Sequence, residues 1–545
     1  MVSATWSDWG WLGFAVGATA FCAALIGPGC SDDDAAEPGP TTTSSGGGTG
    51  GASPTGGSGG SGGSVGGGGG GAPAPAPSCD EPTGNRYYVA PDGDDSGPGS
   101  EQQPWQTIQK AADTVVAGDG VYLASGTYGE RVTIDVAGTT DAPIIFSAAL
   151  GADAVVDGTG IALEDHEGLI EIGADASHVQ LCGLRVESSA ARGVRVTNAD
   201  HVSIIGLEVY DSGQAAILVY SSSDVLIHGN RTRESVSSGV GVWQSSSVVV
   251  RDNQIVNARN SETLGSQESL SVADTDHFEV FGNEITIEGD NAFLGNAGID
   301  VKESSHTGAV HHNYIHDFNH DGAIYLDAWM AGLDGGETLH DVDVHSNLLI
   351  DTGGINLGSE RGGTSENINV YNNVLIRSRT VGIGIAEIHA AATGPGWRRN
   401  IAIFNNTIHQ ATGHGGAGIY VTATAIENIT VQNNVVAFGD DFWVGQITAG
   451  TAAIAAAVTA DHNLVFGRTE CSQAYPNCVE LSETMAGNTA ADPLFVDAAG
   501  DDLHLSSSSP AIDSGVDIPS LAVDHDGNPR PQGAGMDMGA FETAP

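Results

Sequence analysis

Eight short segments of this sequence alternate apolar and polar residues and then stop at an asparagine. They are Val225–Asn230, Val248–Asn253, Phe278–Asn283, Gly308–Asn313, Val342–Asn347, Ile368–Asn373, Ile401–Asn406 and Ile429–Asn434, with His462-Asn463 continuing the series. Successive asparagines lie 23, 30, 30, 34, 26, 33, 28 and 29 residues apart. Self-similarity at such a spacing means one supersecondary unit stacked many times, each copy burying its apolar face only against its neighbours. The period of two inside each unit, broken at Asn and Gly, specifies strands and turns. A leucine-rich horseshoe is disfavoured, because no helical period separates the strands and Leu is scarce. The pattern predicts an all-β fold: a single right-handed parallel β-helix, a solenoid with coils about 4.8 Å apart and Val and Ile pointing inward. Asparagine suits a turn with a tolerant backbone, and stacked Asn side chains can form a hydrogen-bonded ladder.

A second strand per coil aligns as well. Its inward pairs include Val240/Val242, Leu270/Val272, Ile299/Val301, Ile324/Leu326 and Ile355/Leu357. Residues between and just after each pair point outward, so the alignment predicts which side chains meet on the surface. Lys302 and Asp327 become neighbours on successive coils, and Asp300 lies beside Tyr325. Just beyond are Trp329, Glu360 and Arg361, whereas the flanking coils offer mostly Ser, Thr, Gly and Ala. Another outward row, Arg251, Phe281, His311, His345, Tyr371 and Phe404, predicts a stack of rings along the coils. His311, His312, His316 and His320 suggest zinc at first sight, but a flat strand sends His311 and His312 to opposite sides, so no zinc site is expected there.

The ends are different. Residues 1–29 read as an export signal whose apolar run, Trp11 to Ile26, is short for a membrane span. Leu25-Ile-Gly-Pro-Gly-Cys30 resembles a bacterial lipoprotein cleavage box, with Cys30 as the lipidated residue. Residues 30–78, rich in Gly, Ser, Thr, Pro and Ala, cannot bury apolar area and read as a disordered tether. The expected organisation continues with an N-terminal cap and first coils over 79–160, repeats over 161–470, and C-terminal coils and a cap over 471–545. The expected location is the outer membrane or cell surface, or the extracellular space, with membrane contact through the lipid alone and the chain a monomer. Cys79, Cys182, Cys471 and Cys478 make an even set in an exported chain, which suggests two disulfides, Cys471 with Cys478 and Cys79 with Cys182. The formal net charge of −50 argues against nucleic acid as a partner.

Tyr87-Tyr-Val-Ala-Pro-Asp-Gly93, Pro104-Trp-Gln-Thr-Ile-Gln-Lys-Ala-Ala112 and Gly118-Asp-Gly-Val-Tyr122 resemble the opening of bacterial right-handed parallel β-helix proteins of the pectate-lyase-like type. In that resemblance Thr107 to Val116 is a short helix capping the first coil. Asp492-Pro-Leu-Phe495, Ser509-Pro-Ala-Ile-Asp513 and Asp537-Met-Gly-Ala-Phe-Glu542 resemble their usual ending. Gly298-Ile-Asp-Val-Lys302, Ile324-Tyr-Leu-Asp-Ala-Trp329 and Ser359-Glu-Arg-Gly-Gly363 look like motifs repeated within a subgroup. The resemblance implies the fold and leaves activity open, because this architecture hosts lyases, glycosidases, epimerases and non-catalytic adhesins.

Three functional readings follow. In the first, the chain is a Ca2+-assisted polysaccharide lyase acting on a uronic-acid-containing glycan. β-Elimination needs a base at C5 and a cation on the C6 carboxylate. Lys302 is the expected base, and Asp300, Asp327 and Glu360 the expected Ca2+ ligands. Trp329, Arg361 and Tyr325 are the expected sugar contacts. In the second, Asp327 and Glu360 act as the two carboxylates of a glycoside hydrolase. In the third, the chain is a non-catalytic glycan-binding or structural module, and Lys302 merely eases repulsion among carboxylates.

Overall fold

The computed structural model describes residues 79–258, 268–288, 297–318, 322–332, 336–359, 361–379, 381–386, 396–410, 417–438, 446–467 and 477–544. The signal and tether segments, Cys30, His320, Glu360 and Cys471 lie outside these residues.

The chain passes through three strands per coil, and each kind of strand stacks into its own sheet. Among the described residues, sheet I holds fourteen strands, from Arg86–Val89 to Val458–Asp461. Sheet II holds thirteen, from Val132–Ile134 to Val479–Glu480, and sheet III fourteen, from Gly126–Tyr128 to Thr489–Ala490. Every neighbouring pair in sheets I and III is parallel; sheet II ends on one antiparallel pair, Ile447–Ala449 with Val479–Glu480. The architecture is the right-handed parallel β-helix expected from the repeat, with the hand that parallel crossovers adopt.

The inward columns explain the stability of the stack. In sheet II, Val240, Leu270, Ile299, Ile324 and Ile355 are consecutive register partners, each with no exposed surface. β-Branched side chains fill such a column in their preferred rotamers. The coil is narrow, so sheet III presses against the start of sheet II. A Cβ on Gly298 would sit 2.7 Å from the Ala323 carbonyl oxygen and 3.1 Å from a methyl of Ile315, which leaves room only for glycine.

The asparagine ladder is continuous. Each ladder side chain accepts through Oδ1 from the backbone N–H of the previous ladder residue: Asn230 to Asn253 at 2.9 Å, Asn313 to Asn347 at 3.0 Å, Asn434 to Asn463 at 3.0 Å. Asn488 closes the series at 3.0 Å from Asn463. The left-handed backbone position is not the ladder residue but the one before it, as at Gly229, Asp252, Gly282, His312, Asn372, Asn405 and Asn433. The tolerant turn expected at the asparagines is therefore displaced by one residue. Gly, Asn and Asp predominate there because they adopt a positive φ at low cost, with His312, Ser346 and His462 in the same place on other coils.

That displacement gives the Asn-Asn pairs of the later coils a second use. The side chain of Asn372 donates to the Val523 carbonyl at 2.9 Å, Asn405 to Asp537 at 2.9 Å, and Asn433 to Val516 at 2.8 Å. The C-terminal segment thus runs back over the outside of these coils and is fastened turn by turn. Within that segment Arg530 and Glu542 form a 2.8 Å ion pair with both side chains wholly buried, and Leu521 and Met536 pack on Phe404.

At the other end, helix α1 covers Ile108–Ala112, with Thr107 accepting from the Lys110 N–H at 3.2 Å as its N-cap. It is shorter than the Thr107 to Val116 segment expected: Asp113 caps it, and the β-branched run Thr114-Val115-Val116 that follows disfavours helix. Cys79 and Cys182 are joined across 103 residues of sequence. Cys478 is also disulfide-bonded, and its expected partner Cys471 is among the residues not described.

Candidate functional site

The outer face of sheet II carries the concentration of charge that the alternation places there. Lys302 ends the strand Ala297–Lys302, and its register partner on the next coil is Asp327, at the end of Gly322–Asp327. Asp300 pairs with Tyr325, and Tyr325 with Asn356. On the preceding coil Ser271 stands opposite Asp300, where its hydroxyl accepts from the Trp243 indole N–H at 3.2 Å.

The nearest partner of Lys302 is one the outward rows do not include. Its Nζ lies 2.9 Å from Oε1 of Glu268 and 3.7 Å from Oδ2 of Asp300. Glu268 opens the strand Glu268–Ala273, on the same alternation as the inward pair Leu270/Val272, where an acidic residue is out of place. That misfit, one coil from the lone lysine of the repeats, is the signal that could have found it. Glu268, Asp300 and Asp327 are all buried. Burial pulls the Lys302 pKa down, but the charges of Glu268 and Asp300, the hydrogen bond donated to Glu268 and the charge of Asp327 outweigh it and hold the ammonium above the usual lysine range.

Trp329 and Arg361 come together beside this cluster. The Arg361 guanidinium lies 5.0 Å from the centre of the Trp329 ring. The backbone of Trp329 is tied at both ends. Its N–H donates to Oδ1 of Asp327 at 2.8 Å, and its carbonyl accepts from the Ser359 hydroxyl at 2.8 Å and from the Gly363 N–H at 2.9 Å. A Cβ on Gly363 would fall 2.1 Å from the Ala328 carbonyl oxygen, so Ser359 and Gly363 serve to set Trp329 and Arg361 in place.

Three carboxylates meet one ammonium in a mostly buried cluster, and their oxygens are a hard donor set of the kind that suits Ca2+. Asp300 and Asp327 are the described residues of the expected Ca2+ set; Glu360 is the third.

On sheet I the predicted ring column is present. Phe281 and His311 stack at 4.9 Å, His311 and His345 at 4.7 Å, His345 and Tyr371 at 4.7 Å, and Tyr371 and Phe404 at 5.0 Å, all within 9° of parallel. Burial, then the neighbouring His311 and His312, lowers the pKa of His345 to about 3. His312 does not point away from His311 as a flat strand requires. Its φ of 52° turns the ring back, and the two Nδ1 atoms lie 2.8 Å apart.

Comparison with known proteins matches residues 87–238 to the family model described as Pel9A-like, right-handed β-helix region. The chain is 40% identical over 73 residues to the pectate lyase PEL9 of Emericella nidulans, a stretch covering 13% of this chain and 18% of that protein. It is 30% identical over 109 residues to the uncharacterized protein YwoF of Bacillus subtilis (strain 168), covering 20% of this chain and 23% of the relative. The matches thus span less than a quarter of the length of either relative. The crystal structure of the pectate lyase Pel9A is similar at 16% identity with a TM-score of 0.44, covering 84% of this chain and 96% of that one. No helix among the described residues is long and apolar enough to cross a membrane.

Proposed function

We propose that this protein is an exported polysaccharide lyase that cleaves a uronic-acid-containing glycan by β-elimination on the outer face of sheet II. The observation that carries the reading is the single ammonium of Lys302 set among the buried carboxylates of Glu268, Asp300 and Asp327. A chain of net charge −50 repels a polyuronate, so positive charge must be concentrated where the substrate is held. Lys302 and Arg361 supply part of it. Asp300, Asp327 and Glu360 would hold Ca2+, which when bound neutralises the substrate carboxylate and acidifies the C5 proton.

In this reading the Lys302 amine, once deprotonated, takes the C5 proton. The electron pair forms the C4–C5 double bond, the C4–O bond breaks, and the departing oxygen takes a proton from water. The pairing of Lys302 with Glu268 and Asp300 opposes deprotonation. Compensating the charge of those carboxylates brings the lysine back toward the range a base needs. Trp329 and Tyr325 offer apolar faces to the sugar, and Arg361 a bidentate donor to a carboxylate. The reading takes the protein to the cell surface or beyond, with Cys30 as the lipid anchor.

The test is ultraviolet absorbance of unsaturated product ends when the full chain meets a panel of uronic polysaccharides in Ca2+. Activity should appear with at least one, vanish with chelator, and fall about 10²–10⁴-fold in K302A. Product formed by K302A at the parent rate refutes the base. Reducing ends without ultraviolet absorbance favour the two-carboxylate hydrolase instead.

A further inference from the structure

We propose that the chain binds a divalent first-row transition ion of the zinc class on the outer face of sheet I, through His306, His340 and Glu337. The two histidines are register partners on successive coils, and their rings lie parallel, 4.7 Å apart at 2°. Glu337, in the segment leading into the strand Leu339–His345, brings Oε2 to 3.0 Å from Nε2 of His306. One ligand atom from each of the three residues lies within 4.8 Å of the others.

The remaining ring nitrogens are already engaged. Nδ1 of His306 lies 2.9 Å from Asp276 and 3.1 Å from the Thr307 hydroxyl, and Nδ1 of His340 lies 2.8 Å from Asp341. A carboxylate at Nδ1 keeps the proton there and presents the Nε2 lone pair, the arrangement that orients metal-bound imidazoles. Two imidazoles with one carboxylate select a d-block ion, whereas Ca2+ takes all-oxygen sets. The site is therefore chemically distinct from the cluster around Lys302, and on a different sheet.

A tetrahedral ion with bonds of about 2.1 Å needs ligand atoms about 3.4 Å apart. Glu337 and His306 are already within that distance at 3.0 Å, so loading must tilt the two parallel imidazoles together at Nε2, with Glu337, whose side chain is 71% exposed, free to follow. The Glu337 carbonyl also accepts from the Gly332 N–H at 2.6 Å, three residues beyond Trp329. A bound ion would tie the far end of the segment that begins at Trp329 to two coils of sheet I.

The full chain, stripped with chelator and returned to Ca2+, is titrated with Co2+, whose visible absorption reports imidazole ligation, and then with Zn2+ in competition. E337Q, at an exposed position, should weaken binding by about tenfold or more, and H340A should remove one equivalent. H201A, in the separate group of His178, Asp200 and His201, should leave that equivalent in place. Equal affinity and spectra in parent, E337Q and H340A overturn the site. Loss in H201A alone also overturns it, by assigning the ion to the N-terminal coils.

Discussion

Nζ of Lys302 lies 2.9 Å from Oε1 of Glu268, one coil away, closer than to the Asp300 of its own strand at 3.7 Å. Burial lowers the proton affinity of the proposed base, and Glu268 is the foremost of the carboxylates that raise it. Replacing it in E268Q removes a raising charge, so the Lys302 pKa falls and a larger share of the amine is neutral at any given pH. The rise of kcat/KM with pH should move to lower pH in E268Q. A profile superimposable on the parent's would separate Lys302 from the chemistry.

The ring column makes a prediction about acid. His345 has an unfolded pKa of about 6.5 and a folded value of about 3. Between these values the unfolded chain binds a proton that the folded chain refuses, so stability is lost as pH falls through that window. H345Y keeps the stack and removes the proton. Its stability, followed by thermal melting, should decline less than the parent's between about pH 6.5 and about pH 3.

How much of this was legible in the sequence differs by feature. The columns of sheet II follow from alternation alone, because a slip of one residue would turn Ile299 and Val301 outward. The meeting of Lys302 with Asp327 follows from the same register. Glu268 is absent from the outward rows because it shares the parity of the inward pair; its misplaced charge marks it in the sequence, but its 2.9 Å approach to Lys302 is set by the packing. His312 escapes because alternation assumes extended backbone, and its positive φ breaks that assumption. The stacking of His306 on His340 was open to alignment, but the approach of Glu337 from a connecting segment was not, since connections carry no period.

The middle of the ladder should be costly to break. Asn347 accepts from the Asn313 N–H at 3.0 Å and donates to the Val310 carbonyl at 3.0 Å and to Asn373 at 2.9 Å, fully buried. N347A leaves those partners unsatisfied, at roughly 1–3 kcal/mol each. Denaturant unfolding should show a loss of several kcal/mol. A change under about 1 kcal/mol would mean that the ladder is decoration.

The Cys79–Cys182 bond closes 103 residues and ties the chain before the first strand to sheet I. In C79S the unfolded chain regains the entropy of that loop, which costs the fold about 2–5 kcal/mol. The loss should appear in hydrogen exchange as faster opening of Arg86–Val89, with the central coils protected as before. Uniformly faster exchange along the whole stack would contradict this.

The fastening of Val516, Val523 and Asp537 to Asn433, Asn372 and Asn405 has a consequence for how the molecule is completed. A chain made from its N-terminus can wind each coil onto the last as it emerges, like thread on a bobbin. The later windings, however, keep unmatched amides on their outer rim until the final thirty or so residues arrive. A premature stop near the end would therefore not simply shorten the spool; it would leave finished turns without their clasp, some 150 residues upstream of the lesion.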